Sequence, residues 1–119
     1  MNAEELKALI AARSTKGYFP APFDLAVKRH KKYSGFVDWG KTPIEMVSPR
    51  NVLFVHGRFS QDRLAYRADN MECLLDGSCP PYVLTDETGS YLLDGNHRML
   101  IARLLGLEEV PCRVARVIP

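Results

Sequence analysis

Apolar positions recur at helical spacing between Ala3 and Arg13, where Leu6, Leu9 and Ile10 share a face and Glu4 and Glu5 occupy the first turn. That pattern predicts a short amphipathic helix with its acidic residues at the favourable end of the dipole. Ser14 to Pro22 contains Gly17, Pro20 and Pro22 and reads as irregular chain pinned by Tyr18, Phe19 and Phe23. Asp24 then caps an expected second helix over Leu25 to Tyr33, stopped at Ser34-Gly35. From Thr42 the period shortens. Ile44, Met46 and Val47 form a strand ending at Ser48-Pro49, and Val52 to Val55 is a second extended piece. Leu64, Ala68, Met71, Leu74 and Leu75 lie on one stripe of a helix expected over Ser60 to Leu75, closed by Asp76-Gly77. Tyr82 to Thr85 and Tyr91 to Leu93 form a hairpin around Asp86-Glu87-Thr88-Gly89. A helix over Met99 to Leu105, stopped by a left-handed Gly106, leads to a last strand from Val110 to Ile118.

The length of 119 residues suits one core, and 46% hydrophobic with 25% charged residues excludes a disordered chain. A net charge of +2 is too small for a dedicated nucleic-acid coat. No apolar run is long enough for a bilayer and Met1 to Ala12 lacks a signal-peptide core, so a cytoplasmic protein without a membrane partner is expected. Cys73, Cys79 and Cys112 form an odd set without a CxxC pair, which predicts packing or surface thiols rather than a disulfide framework or a zinc site.

Two stretches carry candidate chemistry. Lys28, Arg29, His30, Lys31 and Lys32 are adjacent, so on a helix they wrap around it. The run reads as a solvated face, with contact to DNA through Lys28, Arg29, Lys31 and Lys32 as the alternative. The second stretch is Leu92-Leu93-Asp94-Gly95-Asn96-His97-Arg98, a strand that turns through glycine into a helix. A helix N-terminus offers unpaired amides and about half a positive charge, so the amides of Gly95, Asn96, His97 and Arg98 suit a phosphate. Arg98, and His97 if protonated, would be disfavoured in that first turn unless an anion lay beside them. The bland alternative is an Asp94 cap with local pairing.

Asp94-Gly95-Asn96-His97-Arg98, the apolar helix to Leu105, Gly106-Leu107 and Val110-Pro111-Cys112-Arg113-Val114 together resemble the signature of the ParB/sulfiredoxin-like superfamily, loosely from residue 42 to 118. The resemblance implies an α/β (α+β) single-domain fold, a small mixed sheet with helices around it, at 42–119 behind a helical and irregular extension at 1–41. It implies that Gly95, Asn96, His97 and Arg98 hold the phosphates of ATP or another NTP, with Asp94 orienting the turn or helping to place Mg2+. Relatives include sulfiredoxins, free-serine kinases, CTP-binding partition proteins and ParB-like nucleases. Asn96 stands where sulfiredoxins place their catalytic cysteine, so sulfinic-acid reduction is not expected, and the chain is too short for the partition proteins' further domains.

Hydrolysis or phosphoryl transfer needs charge neutralisation, a placed nucleophile and usually Mg2+. His97 and Arg98 are the expected electrostatic groups, Glu45 is the nominated general base in analogy to kinase-like relatives, and Arg58 and His56 are candidate second phosphate contacts. A solvent-facing Glu45 is the competing assignment. Three functions follow in order: a nucleotide-binding NTPase or phosphotransferase with an unidentified acceptor, a non-catalytic partner-binding protein with a regulatory or degenerate nucleotide site, and a DNA-binding or nuclease-like module.

Overall fold

A computed structural model describes residues 1–20, 22–23, 37–55, 57–117. The expected helix over Leu25 to Tyr33 with its basic run, together with His56, lies outside the described residues. The chain opens with α1 (Ala3–Arg13), whose N-cap Asn2 accepts the Glu5 amide while the Glu5 side chain reaches back to the Asn2 amide. This capping box satisfies two otherwise orphan donors. A short strand, β1 (Tyr18–Pro20), follows where irregular chain was expected. It pairs antiparallel with β4 (Arg58–Ser60). Pro20 is tolerated there because this ribbon has only two strands, so the proline stands on an edge.

The main sheet has five strands in the order β2-β7-β5-β6-β3. They are β2 (Ile44–Val47), β3 (Leu53–Phe54), β5 (Tyr82–Asp86), β6 (Gly89–Asp94) and β7 (Val110–Arg116). Central β5 runs parallel to β7 and antiparallel to β6, so the hairpin is as the turn residues predicted. Asp86 Oδ1 accepts both the amide and the hydroxyl of Thr88 at 2.7 and 2.6 Å, which pins the turn.

The helix expected over Ser60 to Leu75 is two. Ser60 caps α2 (Gln61–Asp69) by accepting the Arg63 amide, and α2 stops at Asn70, whose side chain donates to the Tyr66 carbonyl. After this break comes α3 (Glu72–Leu75). Asparagine competes for helix carbonyls in this way, which is why an unbroken apolar stripe failed to carry the helix through. The last helix, α4 (Asn96–Leu104), starts three residues earlier than the apolar pattern placed it and connects β6 to β7.

The cysteine expectation is also corrected: Cys73 and Cys79 form a disulfide across a Cα separation of 5.1 Å. Gly77, at φ +80°, allows the reversal that brings them together. Cys112 is a buried free thiol.

One apolar cluster unites these elements. Leu6 and Ile10 of α1, Phe19 of β1, Leu64 and Ala68 of α2, and Met99 to Ala102 of α4 pack with Val83, Leu92, Val110 and Val114 of the sheet. Residues 1–20 therefore contribute side chains to the same core as 42–117. Lys7 adds a surface tie from α1 to Asp69 on α2. No described helix is long and apolar enough to cross a membrane.

Because Phe19 is 1% exposed within this cluster, Phe19→Ala is expected to cost about 3–5 kcal/mol. Urea unfolding measures it. A single transition shifted to lower urea is the expected result, whereas an unchanged midpoint would mean that the N-terminal segment is energetically separate.

Candidate functional site

The site is built at the junction of β6 and α4. Asp94 ends β6, and Gly95 follows at φ +85°, a left-handed conformation that side chains resist. Gly95 is required twice over. A Cβ here would lie 2.8 and 2.9 Å from Cβ and Cα of Pro81, and 3.0 Å from the Arg98 guanidinium. Asp94 Oδ1 accepts the Gly95 amide at 2.9 Å, which sets the turn. No side chain caps α4. The α4 N-terminus therefore adds backbone donors and the positive end of its dipole to whatever lies in front of it.

What lies in front is a cleft of about 450 Å3 lined by Arg58, Arg63, Arg67, Asp94, Gly95, Asn96, His97 and Arg98. Four guanidiniums meet one carboxylate. Arg58 comes from β4, where its partner strand places Tyr18 beside it and the guanidinium sits 4.0 Å over that ring. Arg63 and Arg67 come from α2, four residues apart and so on one face, with Leu64 and Ala68 turned to the core. Arg98 is held from behind by donating Nη1 to the Cys79 carbonyl. Burial, and then the neighbouring charge of Arg67, pull the Arg98 guanidinium below its ordinary value, while Asp94 acts in the opposite direction. An anion would relieve that repulsion.

His97 departs from its expected role. Its ring is buried, meets Phe59 edge-on with centroids 5.5 Å apart, and accepts the Ser60 amide at Nε2 over 3.1 Å. Accepting at Nε2 engages that nitrogen's lone pair, so this atom is turned to Ser60 and not toward a phosphate. It acts instead as a tie between α4 and the start of α2. The Asn96 Oδ1, by contrast, is buried without a hydrogen-bond partner.

Glu45 lies elsewhere. It is on edge strand β2, and Arg116 grips its carboxylate with two hydrogen bonds of 2.5 and 2.9 Å. Strands β7 and β5 lie between β2 and β6, so about 14 Å of sheet separates Glu45 from the Asp94 strand. The Arg116 hydrogen bonds hold the Glu45 carboxyl below the usual glutamate range. A carboxylate so engaged is a poor general base. Its pairing is fully present at neutral pH and is lost as pH falls through that depressed value, because protonation removes the acceptor charge.

Among the described residues there is no group of three or more His, Cys, Asp or Glu able to hold a metal ion. Within the cleft lining, Asp94 is the one carboxylate. Arg63 and Arg67 were not singled out from sequence, although their spacing on the polar side of α2 was available as a signal.

No family model and no curated protein matches this chain. Among solved structures, the chain is similar to a sulfiredoxin from Arabidopsis thaliana, with 17% identity, a TM-score of 0.51, and coverage of 64% of this chain and 88% of that chain. That likeness shows the sulfiredoxin-like fold.

Two outcomes are expected here. Gly95→Ala should destabilise by at least about 2 kcal/mol in thermal or urea unfolding, from the left-handed backbone and the contact with Pro81. A neutral result would contradict the tight turn. Glu45→Gln should leave anion affinity at neutral pH unchanged in calorimetry, and a loss above about threefold would bring Glu45 back to the site.

Proposed function

We propose that this protein binds the phosphates of a nucleotide in the arginine-lined cleft at the start of α4, as the entry to NTP hydrolysis or phosphoryl transfer. The observation that carries the reading is the convergence of Arg58, Arg63, Arg67 and Arg98 on an α4 N-terminus without a side-chain cap, with Asp94 the one carboxylate among the lining residues. So much like charge in one cleft opposes folding unless it serves an anion, and guanidiniums match phosphate geometry bidentately. The sulfiredoxin-like fold supports the same site by analogy alone.

In this reading the Asn96, His97 and Arg98 amides cradle a phosphate, Arg98 contacts it from the turn, and Arg63 and Arg67 neutralise the next phosphate from α2. The arginines stabilise charge that develops on a transferring phosphoryl group. Asp94 and His97 are the lining groups able to take a proton, and the Ser60 amide already occupies His97 Nε2, so the nucleophile is activated by Asp94 or by the second substrate. Binding without turnover would assign the regulatory alternative.

A second reading rests on a separate observation. Arg58 packs on exposed Tyr18, and Arg67 lies 5.5 Å over exposed Tyr66. Arginine interleaved with exposed aromatics is the arrangement that holds single-stranded nucleic acid.

Calorimetry with ATP, CTP, GTP, inorganic phosphate and a short single-stranded DNA separates these readings. Nucleotide binding that weakens about 10- to 100-fold in Arg67→Ala and in Arg98→Ala is expected. Full affinity in both variants, or no nucleotide binding, would overturn the nucleotide reading. Preference for DNA with a steep salt dependence would select the second.

A further inference from the structure

The strand-to-helix turn does not stand alone; it rests on the segment from Cys73 to Pro81. Three contacts join them. Cys79 presents its carbonyl to Arg98 Nη1. Pro81 packs so tightly on Gly95 that no Cβ fits between them. The Pro81 carbonyl in turn accepts the Arg113 amide at 2.9 Å, which fixes Pro81 to β7 but leaves Cys79, two residues earlier, outside the sheet. Cys79 is positioned instead by the Cys73–Cys79 disulfide, by its own amide donating to the Cys73 carbonyl at 3.0 Å, and by the Ser78 amide bonded to Asp76 at 2.8 Å. Of these, the disulfide is the covalent one. Both half-cystines are half-buried, so a small reductant can reach them.

We propose that the Cys73–Cys79 disulfide is a reversible redox site that sets the affinity of the cleft for phosphate-bearing ligands. In the oxidised form the closed loop fixes the Cys79 carbonyl and, through it, the Arg98 guanidinium. A dithiol reduces it. Thiolate attack gives a mixed disulfide, the second thiol of the reductant resolves it, and two electrons and two protons pass to Cys73 and Cys79 as the dithiol becomes a disulfide. The opened loop regains conformational freedom, and ordering it again falls on the ligand. Affinity therefore drops on reduction and returns on reoxidation. Cys112 does not compete in this chemistry: it is 0% exposed, and burial pushes its thiol up to about 12, so it stays protonated.

The proposal rests on the cleft being an anion site, so the test carries one readout with ligand and one without. The full chain is prepared oxidised, reduced with dithiothreitol, and reoxidised, with thiols counted in each form. ATP binding is measured by calorimetry, and hydrogen exchange is followed by mass spectrometry on peptides spanning Met99 to Ala102, the first hydrogen-bonded amides of α4. Reduction should weaken ATP binding about tenfold, lower amide protection at Met99 to Ala102, whose first member donates to the Gly95 carbonyl, and reverse on reoxidation. The double variant Cys73→Ser, Cys79→Ser should match the reduced form. Equal ATP affinity in oxidised and reduced protein, or a double variant that binds like the oxidised form, overturns the proposal. If neither form binds ATP, the nucleotide reading fails, and with it the proposed control of affinity. Exchange then decides whether the disulfide still governs the turn, and unchanged protection overturns that coupling as well.

Discussion

The contact between Gly95 and Pro81 is the constraint on which the site depends. It forces the chain leaving β6 into a left-handed residue pressed against the start of β5, and so aims the first turn of α4 away from the sheet into the cleft. Any side chain at position 95 would push α4 off that line. Because α4 then connects to β7, on the opposite side of β5 from β6, the same contact also orients the most buried of the described helices. Fold and site share one pivot.

Around it the structure divides tasks among elements that are distant in sequence. The α4 turn provides backbone donors and Arg98, α2 provides a pair of arginines, and β4 provides another. Ser60 joins them. Its hydroxyl caps α2, its amide holds His97, and it sits opposite Tyr18 in the β1–β4 ribbon. The charged cleft is thus assembled on hydrogen-bonded and packed supports, with Arg63 and Arg58 as its exposed side chains.

Much of this was legible in the residues because it is local. Glu4 and Glu5 announced the start of α1, Asp86 to Gly89 the hairpin turn, and Asp94 to Arg98 the passage from strand to helix. What escaped notice depends on contacts between remote segments. A three-residue strand at Tyr18 exists only because Arg58 to Ser60 offers it a partner. The arginines of α2 gain meaning only when packing brings that helix to the α4 terminus, and nothing near His97 reveals that the Ser60 amide will claim its ring. The disulfide was missed because its six-residue spacing matches no familiar cysteine pattern, and Gly77 makes the reversal that closes it. Glu45 was nominated by analogy, but its strand is an edge far from the cleft and its charge belongs to Arg116.

The gathering of guanidiniums has a consequence for the folded state as a whole. Ser60 places the N-terminus of α2 beside that of α4, so the positive ends of two helix dipoles add to four cationic side chains in one corner of a small protein. Such a corner works against compactness, and an anion that neutralises it binds the native chain and not the unfolded one. Under the proposed function, occupancy and stability are linked by mass action, and the protein would be at its most robust where the anion is abundant.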